Sequence, residues 1–466
     1  MTARRRESSC ARQHAFSMTV EHPKTKCESA IAALEEFCKE LKVQPDCAGP
    51  PTQRDLARGS KQPVYFFARE GLGSIELDGP ETDEFHNCLL TLYEAVPQGR
   101  DAISLRAVES AVHESMLKAF FPDKEHAEVQ FTERLTATFL ELRDTLRRPL
   151  TSWWIQLPVS GLVKEELPRK VGSIEFYLRT YSTSQFPQPD GPTQGSVTTA
   201  YACVPVKAAD SDAAVELAIR ELRQTIDLLN YFGGVVGNRD ARVYLPWEAS
   251  AFNLSAGISK TEGHHPSAMS HEWRGPWIPF YLNLLFDQPR AKRGGFPRAL
   301  EILSNPKRFK LEERLLSAIQ WAGRATIEER REEAFVLFTV ALESLLVNRN
   351  EKDQVTQRFA IRGAHLIGKD FDSRKKIHKR LKRLYELRSA IVHSGSTEIA
   401  DADRDTIAHF VRAAIFTMLV SKPFCDMRTV EELHGWFEDR TLGGDESTLG
   451  SLEEAEQKSS SASSQP

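Results

Sequence analysis

The sequence predicts an α+β protein, in which an amino-terminal region mixing helices with antiparallel strands precedes an all-α bundle. Three observations lead there. Between residues 64 and 206, short runs such as Trp153-Trp154-Ile155-Gln156-Leu157 and Gly172-Ser173-Ile174-Glu175-Phe176-Tyr177-Leu178 carry the branched and aromatic residues typical of strands. From Pro297 onward, apolar residues recur every three or four positions, the pattern of amphipathic helices. A chain of 466 residues is too long for one core and suggests two or three domains.

Taken in order, residues 1–55 read as a poorly ordered segment with one short helix over Cys27–Leu41, which places Ile31, Leu34 and Leu41 on an apolar face before Pro45 and Gly49-Pro50-Pro51 break the chain. Residues 56–295 read as an α+β recognition region of one or two subdomains. Within it, Val64–Ala68 and Ser74–Leu77 are strands around Gly71-Leu72-Gly73, a hairpin turn and not a phosphate loop, because no helix follows closely enough to cradle an anion. Helices follow at Asp83–Ala95, Ala102–Phe121 and Glu125–Arg147, the last ended by Pro149. After the strands, including Val197–Val206, comes a long helix capped by Asp210 or Ser211. Ala214, Leu217, Ala218, Leu222, Ile226 and Leu229 form its packing face, and Gly233-Gly234 is its expected stop. Residues 239–289 suggest further strands and loops. Residues 296–440 then hold helices at Leu311–Thr326, Glu329–Asn348, Asp353–Ile367, Ser373–His393 and Asp401–Val420, a compact bundle. Residues 441–466, acidic and Ser-rich, are expected to be disordered.

Composition excludes several classes. No apolar run approaches 18 residues, and the start Met1-Thr2-Ala3-Arg4-Arg5-Arg6-Glu7 lacks an apolar core, so a cytoplasmic protein with no membrane partner is expected. The seven cysteines form an odd set without a C-x-x-C pair, which argues against a disulfide framework or a zinc ribbon. His264, His265 and His271 lack the helical spacing or nearby cysteines of a zinc site. There is no Walker loop and no G-x-S-x-G elbow. Neither a metal nor a cofactor is expected.

Charge is distributed unevenly. Residues 351–394 hold twelve Lys or Arg against five Asp or Glu, a balance of +7, whereas residues 426–466 hold three against ten, a balance of −7. The basic excess peaks at Arg374, Lys375, Lys376, Lys379, Arg380, Lys382 and Arg383, a helical run suited to a phosphate-rich partner such as RNA. Tyr385 is the nearest aromatic residue that could stack on a base.

The run leads into Arg388-Ser389-Ala390-Ile391-Val392-His393. Ile377, Leu381, Leu384, Arg388 and Ile391 recur at helical intervals, so Arg388 sits on the apolar stripe. Withdrawing a guanidinium from water there requires either a carboxylate partner or a bound phosphate. Glu343, at the edge of the stripe formed by Phe335, Phe338, Leu342, Leu345 and Leu346, is the nominated carboxylate. His393 falls where Ser394-Gly395 should end the helix. The last carbonyls favour an imidazolium there by roughly 0.3–1 kcal/mol, and the group can exchange protons near neutrality. Ser389 lies one turn from His393 and can orient it. Arg388 and His393 are about 140° apart around an ideal helix. Either the last turn deforms, or a second copy of the helix supplies the missing group across a two-fold axis.

These residues resemble a known family. The chain from about Leu311 to Phe424 is similar to the HEPN domain, in its ApeA-like branch. The likeness rests on Ala334-Phe335-Val336-Leu337-Phe338-Thr339-Val340-Ala341-Leu342-Glu343-Ser344-Leu345-Leu346, on Arg358-Phe359-Ala360-Ile361-Arg362-Gly363-Ala364 and on Leu384-Tyr385-Glu386-Leu387-Arg388-Ser389-Ala390-Ile391-Val392-His393-Ser394-Gly395. In that family R-x(4–6)-H marks metal-independent endoribonucleases assembled as homodimers, many in antiviral defence or toxin–antitoxin systems. The resemblance implies Arg388 and His393 as catalytic groups, RNA as substrate, and a trigger or regulatory partner at the amino-terminal region. The residue after the arginine, often Asn, Asp or His in active members, is Ser389 here. The competing expectation is a HEPN-like dimerisation or nucleotide- or RNA-binding protein without catalysis.

Overall fold

Strand-like composition becomes sheet and the three-four periodicities become helix, so the α+β class with a helical carboxy-terminal part is realised. The computed structural model describes residues 26–41, 65–69, 73–77, 79–96, 99, 102–122, 126, 128–182, 196–237, 241–248, 259–261, 279–348, 354–394 and 399–443. The expectations for residues 1–25, for the Gly71-Leu72 turn, for His264, His265 and His271, and for the tail beyond residue 443 lie outside the described residues. The chain divides into two compact units, Met1–Thr151 with Ala208–Ala213, and Ser152–Lys207 with Ala214–Pro466. The expected boundary at residue 296 falls inside the second.

The first unit holds α1 (Lys26–Glu40), the antiparallel hairpin of β1 (Tyr65–Arg69) and β2 (Gly73–Leu77), α2 (Gly79–Ala95), α3 (Leu105–Phe120) and α4 (Phe131–Leu146). Each helix turns one apolar face inward, and Leu34, Phe37, Phe85, Leu89, Val112, Met116, Leu135 and Phe139 form the shared core. Ser104 caps α3 by accepting from the Ala107 N–H at 3.0 Å. Its own N–H and hydroxyl donate to the Asp210 carboxylate, both at 2.9 Å. Asp210 also accepts from the N–H groups of Asp212 and Ala213, at 3.0 and 2.9 Å. One carboxylate thus closes two helix starts, and of the two expected caps it is Asp210 that acts.

In the second unit, β3 (Thr151–Val159), β4 (Arg169–Val171), β5 (Ile174–Ser182), β6 (Ser196–Ala208) and β7 (Ser259–Thr261) form one sheet in the order β4-β5-β6-β3-β7. The pairs β4–β5, β5–β6 and β3–β7 are antiparallel. Phe176 lies opposite Ala202 in register, both buried. The long helix α5 (Ser211–Val236) runs past its expected stop at Gly233-Gly234. A Cβ on Gly233 would lie 2.5 Å from the Phe280 ring, so this glycine serves close packing. The helix ends at Gly237, whose φ of +96° is the left-handed cap conformation.

After the short helices α6 (Asn283–Phe286) and α7 (Pro289–Arg293) come α8 (Phe296–Ser304), α9 (Lys310–Ile327), α10 (Arg331–Leu346), α11 (Val355–Ile367), α12 (Phe371–Ser394), α13 (Asp401–Val420) and α14 (Val430–Thr441). The last was not among the five bundle helices expected, although Thr429-Val430-Glu431-Glu432 spells a capping box. Thr429 accepts from the Glu432 N–H, and the Glu432 carboxylate accepts from the Thr429 N–H. At Gly323 of α9, a Cβ would sit 1.9 Å from the Asp227 carbonyl oxygen, so only glycine lets α9 cross α5 this closely. Phe335, Leu342, Leu345, Leu346, Phe359, Leu381, Leu384, Val411 and Ile415 fill the bundle core. Arg362, only 8% exposed, donates from Nη1 to the Leu346 carbonyl at 2.8 Å and so closes the C-terminus of α10.

Candidate active site

Helix α12 carries the predicted site, and its sequence explains both its start and its two faces. Asp370 and Ser373 exchange hydrogen bonds across the first turn, the Ser373 N–H donating to the Asp370 carboxylate at 2.7 Å, and this bond holds that carboxyl below its usual range. Leu381, Leu384 and Tyr385 are buried, and Ile377, Arg388 and Ile391 on the same stripe are half-buried. Lys375, Lys379, Lys382, Glu386, Ala390 and His393 follow one another at intervals of three or four and are exposed. His393 therefore belongs to the lysine face and Arg388 to the packing face. Among the described residues, neither Arg388 nor Ser389 hydrogen-bonds His393. The helix continues regularly to Ser394, so a deformed last turn does not bring the two groups together.

The nominated pair is present. Arg388 Nη2 lies 3.5 Å from Glu343 Oε2, with side chains 24% and 26% exposed. The Tyr385 hydroxyl donates to Glu343 Oε1 at 3.2 Å, and the Arg388 guanidinium stands 5.7 Å from the centre of the Tyr385 ring. Burial, reinforced by the Glu343 carboxylate, pushes the Tyr385 phenol up to about 12, so it remains a donor across the neutral range. Glu343 Oε2 and Arg388 Nε make no hydrogen bond, which leaves the ion pair a contact of charges without aligned donors. Tyr385 packs its ring on Phe359 with centroids 4.9 Å apart and is 8% exposed. It orients Glu343. It does not offer the base-stacking platform expected of it, because position 385 falls on the buried stripe.

The basic run divides into two sets. Arg380 and Arg383 converge on Asp403 of α13, at 3.5 and 2.8 Å, and Arg380 also reaches the Thr406 hydroxyl at 3.3 Å. Arg374 donates to the Gly368 carbonyl at 3.4 Å. Lys375, Lys376, Lys379 and Lys382 are exposed and, among the described residues, have no ion-pair partner. The arginines tie the helix to its neighbours, and the lysines present charge outward. Asp403, 5% exposed, escaped the sequence reading. The signal that marked Arg388 also marks it, since Asp403, Ile407, Val411 and Ala414 form an apolar stripe with one charge on it.

Elsewhere, the described residues contain no group of three or more His, Cys, Asp or Glu able to hold a metal ion. The described cysteines are free, and burial pushes the Cys38 thiol up to about 12, far from a reactive thiolate. No described helix is long and apolar enough to cross a membrane. No protein-family model, curated protein or solved structure matches the chain.

Proposed function

We propose that the chain is a HEPN-type, metal-independent endoribonuclease acting on single-stranded RNA from a homodimeric site. The observation that carries this is the placement of Arg388 and His393 on different faces of a regular helix, each beside something phosphate chemistry uses. Arg388 has a loosely held carboxylate that a phosphate can replace, and His393 shares a face with Lys375, Lys379 and Lys382, which have no ion-pair partner among the described residues. Pairing two copies of α12 about a two-fold axis sets the arginine of one against the histidine of the other.

In this reading a ribose 2′-oxygen attacks the adjacent phosphorus and the bond to the 5′-oxygen breaks, leaving a 2′,3′-cyclic phosphate and a 5′-hydroxyl. His393 takes the proton from the 2′-hydroxyl or returns one to the departing 5′-oxygen. Arg388 stabilises the added negative charge on the phosphorane. Acid–base help of this kind contributes about 10²–10⁴-fold, and an aligned cation adds electrostatic stabilisation. Antiviral defence or a toxin–antitoxin pair is the setting the family likeness suggests, with a trigger or regulatory partner acting through the amino-terminal region.

The Arg388–Glu343 pair favours a second reading, in which the arginine is a packing charge already neutralised and the bundle dimerises or binds RNA or nucleotides without cutting. One experiment separates the two. Labelled single-stranded RNA incubated in EDTA with the purified chain is expected to yield cyclic-phosphate ends with wild type and none with His393→Ala. Intact RNA with wild type, in a dimer that still binds it, selects the non-catalytic reading.

A further inference from the structure

The second unit holds a cavity of about 380 Å³, a size within the roughly 300–1,000 Å³ of small-molecule sites. Among the described residues, none of α12 lines it. Three arginines do: Arg242 from the segment after α5, and Arg404 and Arg412, eight residues apart and so on one face of α13. A glycine makes room for the last of them. A Cβ on Gly234 of α5 would lie 3.2 Å from Arg412 Nη2 and 2.9 Å from Cγ2 of Thr326, which lines the same cavity. Ala334, in the first turn of α10, is also in the wall, and no side chain caps that turn, so the positive end of a helix adds to the local field.

Carboxylates accompany the arginines, but they lie further out. Arg242, its side chain 19% exposed, meets Glu329, 67% exposed, at 3.0 Å. Arg404, 33% exposed, meets Asp405, 54% exposed, at 3.1 Å. A carboxylate that keeps most of its hydration holds an arginine weakly, and it can turn into water when a stronger anion arrives. The arginines, half-withdrawn from solvent, stay in place. A guanidinium binds oxyanions through paired N–H donors, so several of them around one space select an anion with many oxygens and more than one charge.

We propose that this cavity binds a compact, multiply charged oxyanion of the diphosphate class as a free small molecule, held by Arg242, Arg404 and Arg412, with Glu329 and Asp405 displaced outward. The bound anion ties α13 to the segment after α5 and stabilises the second unit, without contacting Arg388 or His393.

The test titrates the full chain with inorganic pyrophosphate in EDTA, with no RNA present. One saturable site per chain is expected, with orthophosphate about tenfold weaker. Arg404→Gln is expected to weaken pyrophosphate by about tenfold or more. Glu329→Gln, which removes the competing carboxylate, is expected to tighten it about two- to fivefold, a change that a merely structural ion pair would not produce. Replacing Lys375, Lys379 and Lys382 with Gln should leave the pyrophosphate affinity unchanged. The proposal is overturned by the absence of a saturable site, by equal affinity for orthophosphate, by unchanged binding in Arg404→Gln, by unchanged or weaker binding in Glu329→Gln, or by loss of binding in the lysine variant. It is also overturned if a 5′-phosphorylated 2′-O-methyl oligouridine binds in an Arg404-dependent way while pyrophosphate does not, since the cavity then receives an RNA end. No readout here involves cleavage, so failure of this proposal is distinct from failure of the nuclease reading.

Discussion

Two carboxylates grip arginines of α12, and they do so differently. Asp403, its side chain 7% exposed, meets Arg383 at 2.8 Å in an aligned hydrogen bond and Arg380 at 3.5 Å. Glu343, 26% exposed, faces Arg388 at 3.5 Å without a hydrogen bond and is steadied by Tyr385. The first arrangement has the geometry of a latch between helices, since losing the arginines strands a buried carboxylate. The second has the geometry of an exchangeable contact, in which Tyr385 can keep the carboxylate while the arginine turns to another anion. An ion pair's distance and alignment thus separate a fold-holding charge from one available for function, although both occupy apolar stripes in the sequence.

The largest expected effect lies at the exchangeable node. Arg388→Ala and His393→Ala should each lower RNA cleavage by about 10²–10⁴-fold, and His393→Ala, at an exposed position, should leave the melting temperature unchanged. Next, Asp403→Ala should destabilise the bundle by about 1–3 kcal/mol, read as a lower denaturation midpoint. Glu343→Gln should change stability by less than about 1 kcal/mol while tightening binding of a non-cleavable oligoribonucleotide. If the two substitutions cost equal stability, the distinction between latch and exchangeable pair collapses. Replacing Lys375, Lys379 and Lys382 with Gln should reduce the slope of log affinity against log salt by about 0.7 per lost phosphate contact on single strands, with folding preserved.

The smallest effect concerns pH. His365 has a folded pKa below its unfolded value, chiefly from burial and then from Arg374 and Arg440, so the unfolded chain binds the proton more readily. Its stability contribution is complete above the ordinary histidine value and declines as pH falls from about 7 towards 5. Denaturant midpoints across that range should flatten in His365→Gln if this site carries the loss.

Much of this was legible in the sequence where a single physical rule governs the outcome. Helical periodicity placed the bundle helices, the strand-like runs placed the sheet, and the cost of burying a guanidinium singled out Arg388 and its partner Glu343. What stayed hidden depends on neighbours distant in the chain. Gly233 looked like a helix stop, yet its lack of a side chain makes room for Phe280, and Gly323 answers to the Asp227 backbone. Arg380 and Arg383 looked like part of one RNA-facing run because spacing along one helix says nothing about a carboxylate on another. Tyr385 looked available for stacking until Phe359 was found beneath it.

The central claim is that Arg388 of one subunit and His393 of its partner act on one phosphate. Mixing the inactive Arg388→Ala and His393→Ala chains tests it most directly, after unfolding and refolding together to exchange subunits. Random pairing makes half the dimers mixed, each with one intact composite site of two, so the mixture should recover about one quarter of wild-type cleavage. If the mixture stays as inactive as its parents while wild type treated in the same way cuts RNA, the two groups do not act across the dimer, and the account is contradicted.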